Sequence, residues 1–225
     1  MVRYGRTLCL CLVALVGLAF TPRMAAAQEV AFIPHASTLG FGADIAFLLD
    51  RHITLRIGGN YATWKLSATK SGNPYNLHLN LASGQGLIDW YPTLSSFRIT
   101  AGVIIGDNYI DAAAKSASTY NLNGTTYTAA QVGTLTGRFD ANTAAPYLGI
   151  GFGNPVYGSK RLGVTLDLGV AYQGKPNVAL SSTGGTLSGD PTLQANLAGE
   201  AADLRNGLTA YRFYPVVQLG LSYKF

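Results

Sequence analysis

The strongest constraint on the fold is an alternation of apolar with small or polar residues that recurs along most of the chain. Six segments show it clearly: residues 39–47, 53–61, 97–105, 147–153, 162–173 and 217–225. Because successive side chains of a β-strand point to opposite faces, each segment predicts a strand with one apolar face. Residues 77–90 and 132–139 are less regular, and the first needs a bulge near Gly84, Gln85 and Gly86. The pattern predicts an all-β protein with eight antiparallel strands.

The ionic side chains of these segments avoid the apolar phase. Six lie on the small or polar phase, one of them only if the bulge is present: Asp44, Arg56, Asp89, Arg98, Arg138 and Asp167. A basic residue on a lipid-facing strand costs about 2–4 kcal/mol near the middle of the bilayer, so such a sheet must keep its ions on the other face. We interpret the six as a luminal ion network inside a transmembrane barrel.

Glycine dominates the small phase, and the chain contains 27 glycines among 225 residues. Glycine weakens a strand that faces solvent, but it suits the filled interior of a narrow barrel. A soluble sandwich or barrel would turn its apolar face inward and crowd its charges outside. Only 12% of the residues are charged, which is about half the usual share of a soluble domain. These features favour an antiparallel up-and-down transmembrane β-barrel.

The first 27 residues have the pattern of a secretory signal peptide. Arg3 and Arg6 precede an apolar run of 13 residues, 8–20, and three alanines follow at 25–27. A membrane-spanning helix needs about 20 residues, so a membrane anchor is the weaker interpretation. We expect residues 28–225 to form one exported barrel domain. Both cysteines, Cys9 and Cys11, lie in the leader, so this domain would have neither disulfides nor thiol chemistry.

The charge balance argues against a nucleic-acid partner. Removing the leader leaves thirteen basic and eleven acidic residues, with no run of lysine or arginine. A nucleic-acid-binding surface needs a concentrated basic patch.

Sequence blocks near the strands resemble one group of bacterial proteins. The leader, the alternating strands and the C-terminal Tyr223-Lys224-Phe225 resemble bacterial outer-membrane β-barrel proteins. The blocks at 88–102 (IDWYPTLSSFRITAG), 145–154 (APYLGIGFGN), 166–176 (LDLGVAYQGKP) and 214–225 (YPVVQLGLSYKF) are similar to opacity-protein-like small barrels. The resemblance implies the outer membrane of a Gram-negative bacterium, contact with its lipid, and recognition of Tyr223 and Phe225 by the barrel-assembly machinery. It says little about activity.

The connections leave the strand number and the sidedness open. Short connections are predicted at 50–52, 92–96 and 140–144, and long ones at 65–76, 108–128 and 175–210. Short turns of bacterial barrels normally face the periplasm, yet eight strands would put these on the extracellular side. Additional strands at 29–36 and 178–182 would give ten and remove the conflict. We prefer eight and leave the sidedness open.

The last long connection contains one predicted short helix. Asp190 and Pro191 suit the N-cap and the first helical position, and Gly207 suits the end. The apolar residues at helical spacing are Leu193, Leu197, Ala201, Leu204 and Leu208. The helix could lie on the membrane surface, cap the barrel or decorate a loop.

No residue pattern predicts catalysis, a cofactor or a metal site. The three histidines, His35, His52 and His78, lack the His-x-Ser-Asn string of lipid A deacylases and any ligand spacing. We expect paired luminal ions that pack the interior, because an unpaired buried charge is strongly unfavourable. The alternative is a narrow channel lined by the same ions, although an eight-stranded interior is barely wide enough for its side chains.

The predicted function is that of a monomeric, non-enzymatic outer-membrane barrel with an envelope-structural or surface-interaction role. The loop at 108–128 is rich in Tyr, Asn, Thr and Ser, which suits contacts with an unidentified surface ligand. A small channel is the alternative, and a lipid A-modifying enzyme is the least favoured hypothesis.

Overall fold

The computed structural model describes residues 29–70, 73–114, 119–141, 143–157 and 159–225, and the predicted signal peptide and its cysteines lie outside them. Within these residues the strands are β1 (Val30–Ser37), β2 (Gly40–Asp50), β3 (Ile53–Lys70), β4 (Asn73–Trp90), β5 (Phe97–Gly106), β6 (Tyr109–Ala114), β7 (Thr119–Leu122), β8 (Thr125–Thr128), β9 (Gly133–Asp140), β10 (Ala144–Phe152), β11 (Leu162–Tyr172), β12 (Asn177–Gly184) and β13 (Phe213–Lys224). Two α-helices, α1 (Ala129–Val132) and α2 (Pro191–Gly207), and a 3-10 helix at Leu208–Arg212 join them.

Eight strands close into an antiparallel barrel. Around its circumference the order is β1, β2, β3, β4, β5, β10, β11 and β13, and β13 pairs back to β1. Each barrel strand lies next to the barrel strand that precedes it in the sequence. This is the up-and-down arrangement. The predicted all-β class and the predicted number of eight barrel strands are confirmed.

The identity of two barrel strands was predicted wrongly. The barrel includes β1, which corresponds to the optional strand at 29–36, and it excludes β9, which corresponds to the predicted strand at 132–139. The optional strand at 178–182 exists as β12, but it pairs with β9 outside the barrel. Two opposite errors therefore left the count at eight.

The bulge that we expected near Gly84, Gln85 and Gly86 is absent. Pairing between β3 and β4 runs without interruption from Ile53 opposite Trp90 to Lys70 opposite Asn73. The apolar residues of β4 change face because one half of the strand lies in the barrel and the other half pairs with β6 outside it. The alternate orientation of successive side chains continues without a break.

Part of the wall continues beyond the barrel as a flatter sheet, which we call the extension sheet. It consists of residues 62–70 of β3, residues 73–81 of β4, and the strands β6, β9 and β12. The segments predicted as loops at 65–76, 108–128 and 175–210 are therefore largely ordered strands and helices. Most of their strands were not predicted because these segments have the composition of exposed loops.

The two ends of the barrel differ in the length of their connections. At the terminus end lie the chain ends of the barrel domain, at Val30 and Phe225, together with the connections at 51–52, 91–96 and 153–161. At the extension end lie the tight turn at 38–39 and all three long excursions. Including β1 in the barrel moves the predicted short connections at 50–52 and 92–96 to the side of the termini. The segment at 140–144 lies at the extension end as part of a long excursion, so the conflict in the predicted topology disappears.

Among the described residues, no helix combines the length and the apolarity that a membrane span requires. The predicted helix in the last long connection is confirmed as α2. The Asp190 carboxylate caps it by accepting hydrogen bonds from the backbone N–H groups of Thr192 and Leu193, at 2.8 and 3.1 Å.

Candidate functional site

Arg56 lies at the centre of the barrel lumen between three carboxylates. Its Nη1 and Nη2 donate to the two carboxylate oxygens of Asp167 at 3.1 and 3.0 Å, so this pair is bidentate. Its Nη2 also donates to Asp89 at 3.0 Å, and its Nε lies 2.7 Å from the other oxygen of that residue. Asp44 Oδ2 lies 3.5 Å from Nη1. Charge-assisted, bidentate contacts of this kind hold an arginine in a single orientation.

Arg98 ties two of these carboxylates, Asp89 and Asp167, to the terminus end of the barrel. Its Nη2 donates to Asp167 at 2.8 Å, its Nε lies 3.6 Å from Asp89, and its Nη1 donates to the carbonyl of Gly153. Asp89 also accepts a hydrogen bond from the Thr100 hydroxyl at 2.6 Å. The structure therefore brings together five of the six predicted luminal ions, and the most exposed of the five retains only 3% of its accessible surface.

Arg138 does not belong to this network, and its assignment to the lumen was wrong. It lies on the outer face of the extension sheet with its side chain 37% exposed. Its Nε donates to Asp140 at 2.8 Å, its Nη1 lies 3.6 Å from Asp111, and its guanidinium stacks 3.9 Å from the ring centroid of Tyr109. The hydrogen bond to Asp140 raises the pKa of Arg138. The prediction failed because β9 alternates like a barrel strand although it lies outside the barrel.

Neutral polar side chains complete the luminal network, and the sequence analysis did not single them out. Gln85 and Gln218 donate to the two oxygens of Asp44 at 2.7 and 3.1 Å. Asn60 donates to Gln85 at 3.3 Å and lies 2.9 Å from the Nε2 of His35. The sequence contained a signal for them, because these amides occupy the same alternating positions of their strands as the luminal ions.

Two luminal glycines make room for the ions. A Cβ atom on Gly58 would lie 1.9 Å from Asp44 Oδ1 and 2.4 Å from a backbone oxygen. A Cβ atom on Gly151 would lie 2.5 Å from Arg98 Nε and 2.8 Å from Asp167 Oδ1. The glycine-rich phase thus creates the space that the arginines and carboxylates occupy.

Apolar layers close the lumen on both sides of the network. Toward the terminus end, the buried layer consists of Ala31, Ile33, Ala46 and Val156, with Leu48 packed against it. Toward the extension end, it consists of Leu39, Leu87, Ile104, Ala145, Tyr147, Ala171 and Val216. The ions between these layers have almost no accessible surface, so side chains fill the described lumen at their level.

The outer wall of the barrel has the opposite character. Large apolar side chains remain exposed all around it, among them Phe41, Ile45, Ile57, Ile88, Leu148, Ile150, Leu168, Leu219 and Leu221. Tyr223 and Phe225 belong to the same wall, are 40% and 76% exposed, and contact each other edge to face with 5.3 Å between ring centroids. Their role as an assembly signal stays a prediction.

A separate apolar core lies on the inner face of the extension sheet. Leu135 and Leu180 of the sheet pack against a buried cluster from the β7–β8 hairpin and the helices, formed by Tyr120, Leu122, Tyr127, Val132, Leu193 and Leu197. Asn196 donates to the Tyr127 hydroxyl at 2.7 Å, and Arg205 donates to Asn177 at 3.0 Å. Helix α2 therefore packs on the inner face of the extension sheet. It belongs to a long connection, as predicted, but none of the three predicted placements included this packing.

The outer face of the extension sheet carries a cleft of about 830 Å³. Its polar lining includes Lys65, Asn76, His78, Asp111, Thr136 and Arg138. Four of these side chains form one row across the sheet, because Lys65 lies opposite His78, His78 opposite Asp111, and Asp111 opposite Arg138.

The three histidines lie in different parts of the molecule. His35 is luminal, His52 lies in the turn between β2 and β3 with its Nδ1 3.6 Å from Asp50, and His78 contacts the Thr63 hydroxyl at 3.1 Å on the extension sheet. Across the described ranges, no three or more His, Cys, Asp or Glu side chains converge to hold a metal ion.

Comparison with solved structures supports the fold. CarO2 of Acinetobacter baumannii aligns with a TM-score of 0.60 and 21% identity, over 89% of this chain and all of that chain. CarO of the same species aligns with a TM-score of 0.56 and 23% identity, over 91% of this chain and all of that one. At these identities the similarity establishes the fold, so the predicted resemblance to small barrel proteins is confirmed at that level. No family model matches the sequence, and no curated protein matches it.

Proposed function

We propose that the protein is an outer-membrane barrel with a sealed lumen, whose role is to hold the extension sheet and its associated helix at the bacterial surface. The barrel would thus serve as an anchor for a surface-interaction or envelope-structural unit, without enzymatic activity. The observation that carries this proposal is the closed ion network between two apolar layers.

The apolar outer wall supports the membrane location. An exposed apolar surface that encircles a barrel far exceeds the patches of a few hundred Å² found on soluble monomers. In a lipid bilayer this apolar surface contacts hydrocarbon and avoids the cost of exposure to water. A closed barrel also satisfies all backbone hydrogen bonds of the spanning strands.

The sealed lumen argues against the channel hypothesis. A conducting path needs water or mobile ions in contact with its lining, yet Arg56, Arg98, Asp44 and Asp89 have no accessible surface. Opening the path would require separating buried pairs from each other, which costs several kcal/mol per ion.

The connection lengths support an outward-facing extension sheet. In bacterial barrels the short turns and the chain ends normally face the periplasm, and the long connections face outward. The terminus end of this barrel would then face the periplasm, and the extension end would face the exterior.

Conductance in planar bilayers tests the proposal. We expect purified wild-type protein, with insertion verified by the heat-dependent mobility of the folded barrel in gels, to give no discrete current steps. An inserted general porin in the same membrane serves as the control for detection. Stable current steps whose size changes in an Arg98→Gln variant would refute the sealed lumen and favour the channel.

Two further measurements address surface exposure and enzymatic activity. Protease added to intact cells should cleave within residues 108–128, which we propose to face outward. Cleavage there only in lysed cells would reverse the proposed orientation.

Mass spectra of lipid A from deletion and overexpressing strains should be identical. A changed acyl pattern would replace the non-enzymatic role with lipid A modification.

A further inference from the structure

We propose that the cleft on the outer face of the extension sheet binds the phosphorylated saccharide headgroup of an outer-leaflet lipid. This inference rests on the proposed function, because it requires the extension end to face the exterior. It goes further by assigning a ligand class to a surface that lies outside the luminal network.

The spacing of the cations suits an extended ligand with anionic groups at both ends. Lys65 and Arg138 lie in the same row of the sheet but three strands apart. Neighbouring strands are about 4.8 Å apart, so the two backbones are separated by about 14 Å. A single phosphate is much smaller than this separation, whereas a disaccharide with a phosphate at each end approaches it.

The middle of the cleft offers space and hydrogen-bonding groups for a sugar. Ala113 and Ala179 line it on the outer face and leave a hollow between the longer side chains. Asp111 supplies carboxylate acceptors in the same hollow, and Thr136 and Ser181 supply hydroxyl groups, which lie 2.7 Å from each other. This mixture of donors and acceptors matches the hydroxyl groups of a saccharide better than it matches a uniformly charged or apolar ligand.

The arginine is held in place with one donor nitrogen still available. Asp140 holds Nε, Tyr109 supports the flat face of the guanidinium, and Nη1 lies near Asp111. Nη2 donates no hydrogen bond to any described residue, and the Lys65 ammonium forms neither a hydrogen bond nor an ion pair with any of them. A preoriented guanidinium binds phosphate with little further loss of side-chain freedom.

The position of the cleft favours a lipid headgroup over a free sugar phosphate. On the outer face of β3 the apolar residues Ile57 and Tyr61 are followed by Thr63 and Lys65, so the cleft continues the lipid-facing wall. Lys65 lies four residues past Tyr61, which is about 13 Å along the strand and about 10 Å in height for a strand tilted by roughly 40°. The headgroup layer extends some 5–8 Å beyond the hydrocarbon, within reach of a lysine side chain.

Retention of lipid A in nanodiscs tests the assignment. Wild-type protein is reconstituted in phosphatidylcholine nanodiscs and titrated with bisphosphorylated lipid A, with the bound lipid measured by native mass spectrometry. The double variant Lys65→Gln/Arg138→Gln should bind lipid A about tenfold more weakly. Two partly exposed charged contacts together change a dissociation constant by about this much. Lys160→Gln, which removes the same type of charge at the terminus end, is the matched control and should bind like wild type.

A second variant separates the cleft from general charge effects. Ala179→Trp fills the hollow without changing any charge, and it should also weaken binding by about tenfold if the sugar occupies that space. It keeps the proposal testable if the double variant fails to fold. Equal binding by wild type and Ala179→Trp, or by wild type and a folded double variant, would overturn the proposal.

Two comparison ligands identify what the cleft recognises. Monophosphorylated lipid A should bind more weakly than the bisphosphorylated form, and millimolar inorganic phosphate should leave the bound lipid in place. Full displacement by inorganic phosphate, or equal affinity for phosphatidylglycerol, would overturn the saccharide assignment.

Labelling on intact cells distinguishes failure of this inference from failure of the proposed function. A Thr134→Cys variant should react with a membrane-impermeant thiol reagent. Labelling without lipid binding would overturn the headgroup site alone, whereas absence of labelling in folded protein would overturn the outward orientation on which both rest.

Discussion

The barrel and the extension sheet share two continuous strands but have opposite arrangements of polarity. In the barrel half of β4, Asp89 and Gln85 face the lumen and are buried, while Ile88 and Trp90 face outward and are about half exposed. In the extension half the phases exchange. Polar residues Asn76, His78 and Asn80 take the outward phase, and Leu77, Leu79 and Leu81 take the inward phase.

In the membrane location that we propose, the surroundings of the strand, and not the strand itself, select which phase carries apolar residues. Where the outward face meets lipid, ions must be inside and must be paired there. Where the outward face meets water, the apolar residues turn inward and need a cover, which the hairpin and α2 provide. The boundary between Leu81 and Ala82 therefore marks the level at which we place the edge of the hydrocarbon.

The largest expected difference between the two regions concerns their arginines. Arg56→Met leaves three buried carboxylates without their central partner and should lower the free energy of unfolding by about 3–5 kcal/mol. Arg138→Met removes exposed contacts and should lower it by less than about 1 kcal/mol. Urea unfolding of the protein in lipid vesicles measures both, and similar losses would show that the luminal pairs are not buried.

A charge on the outer face should distinguish lipid from water. Ile57→Lys puts an ammonium on the barrel wall and should cost about 2–4 kcal/mol. Thr134→Lys puts the same charge on the exposed face of the extension sheet and should change stability by less than about 0.5 kcal/mol. The same unfolding assay applies, and a tolerated lysine at position 57 would contradict contact with lipid.

Substitution of two glycines in neighbouring strands compares the space on the luminal face with that on the outer face. Gly58→Ala forces a methyl group against Asp44 and a backbone oxygen, and it should cost about 1–3 kcal/mol through overpacking. A Cβ atom on Gly86 meets nothing within 4 Å, so Gly86→Ala should be neutral or stabilising by up to about 1 kcal/mol. Equal effects in vesicle unfolding would mean that the lumen has free space.

The smallest effect should be confined to the extension. Asp190→Ala removes the cap of α2 and should lower local stability by about 1 kcal/mol. We expect faster hydrogen exchange in α2 and β7, with exchange in the barrel strands unchanged. Faster exchange throughout the barrel would show that the two regions unfold as one unit.

The sequence predicted the barrel interior well where the two phases differ strongly. Four of the six predicted luminal ions were placed correctly because glycine and ions alternate with large apolar residues along β2, β3, β5 and β11. Asp89 was assigned to the lumen only through the expected bulge in β4, and it is luminal although that bulge is absent. The same signal vanishes in β1, where Ala31 and Ile33 belong to the inner apolar layer and Phe32 faces outward. A strand that is apolar on both faces has no period of two, so it was left as an option.

The extension could not be predicted because its form depends on pairing between distant segments. Residues 65–76 and 108–128 have the composition of exposed loops, and their polar residues become one face of a sheet only when β6 pairs with β4 and β9. Arg138 was misplaced for the same reason. Helix α2 was predicted because its cap and its apolar spacing are local signals.

Site-directed spin labelling of β4 tests the central claim most directly. The chain has no cysteine after Cys11, so single cysteines introduced at Ile88, Gln85 and His78 can each carry a nitroxide. The accessibility of each label to oxygen and to a polar nickel chelate is measured in vesicles. We predict that position 88 favours oxygen, position 85 is inaccessible to both, and position 78 favours the chelate. Chelate access at position 85, or the same preference at positions 88 and 78, would contradict a sealed barrel whose wall passes from lipid into water.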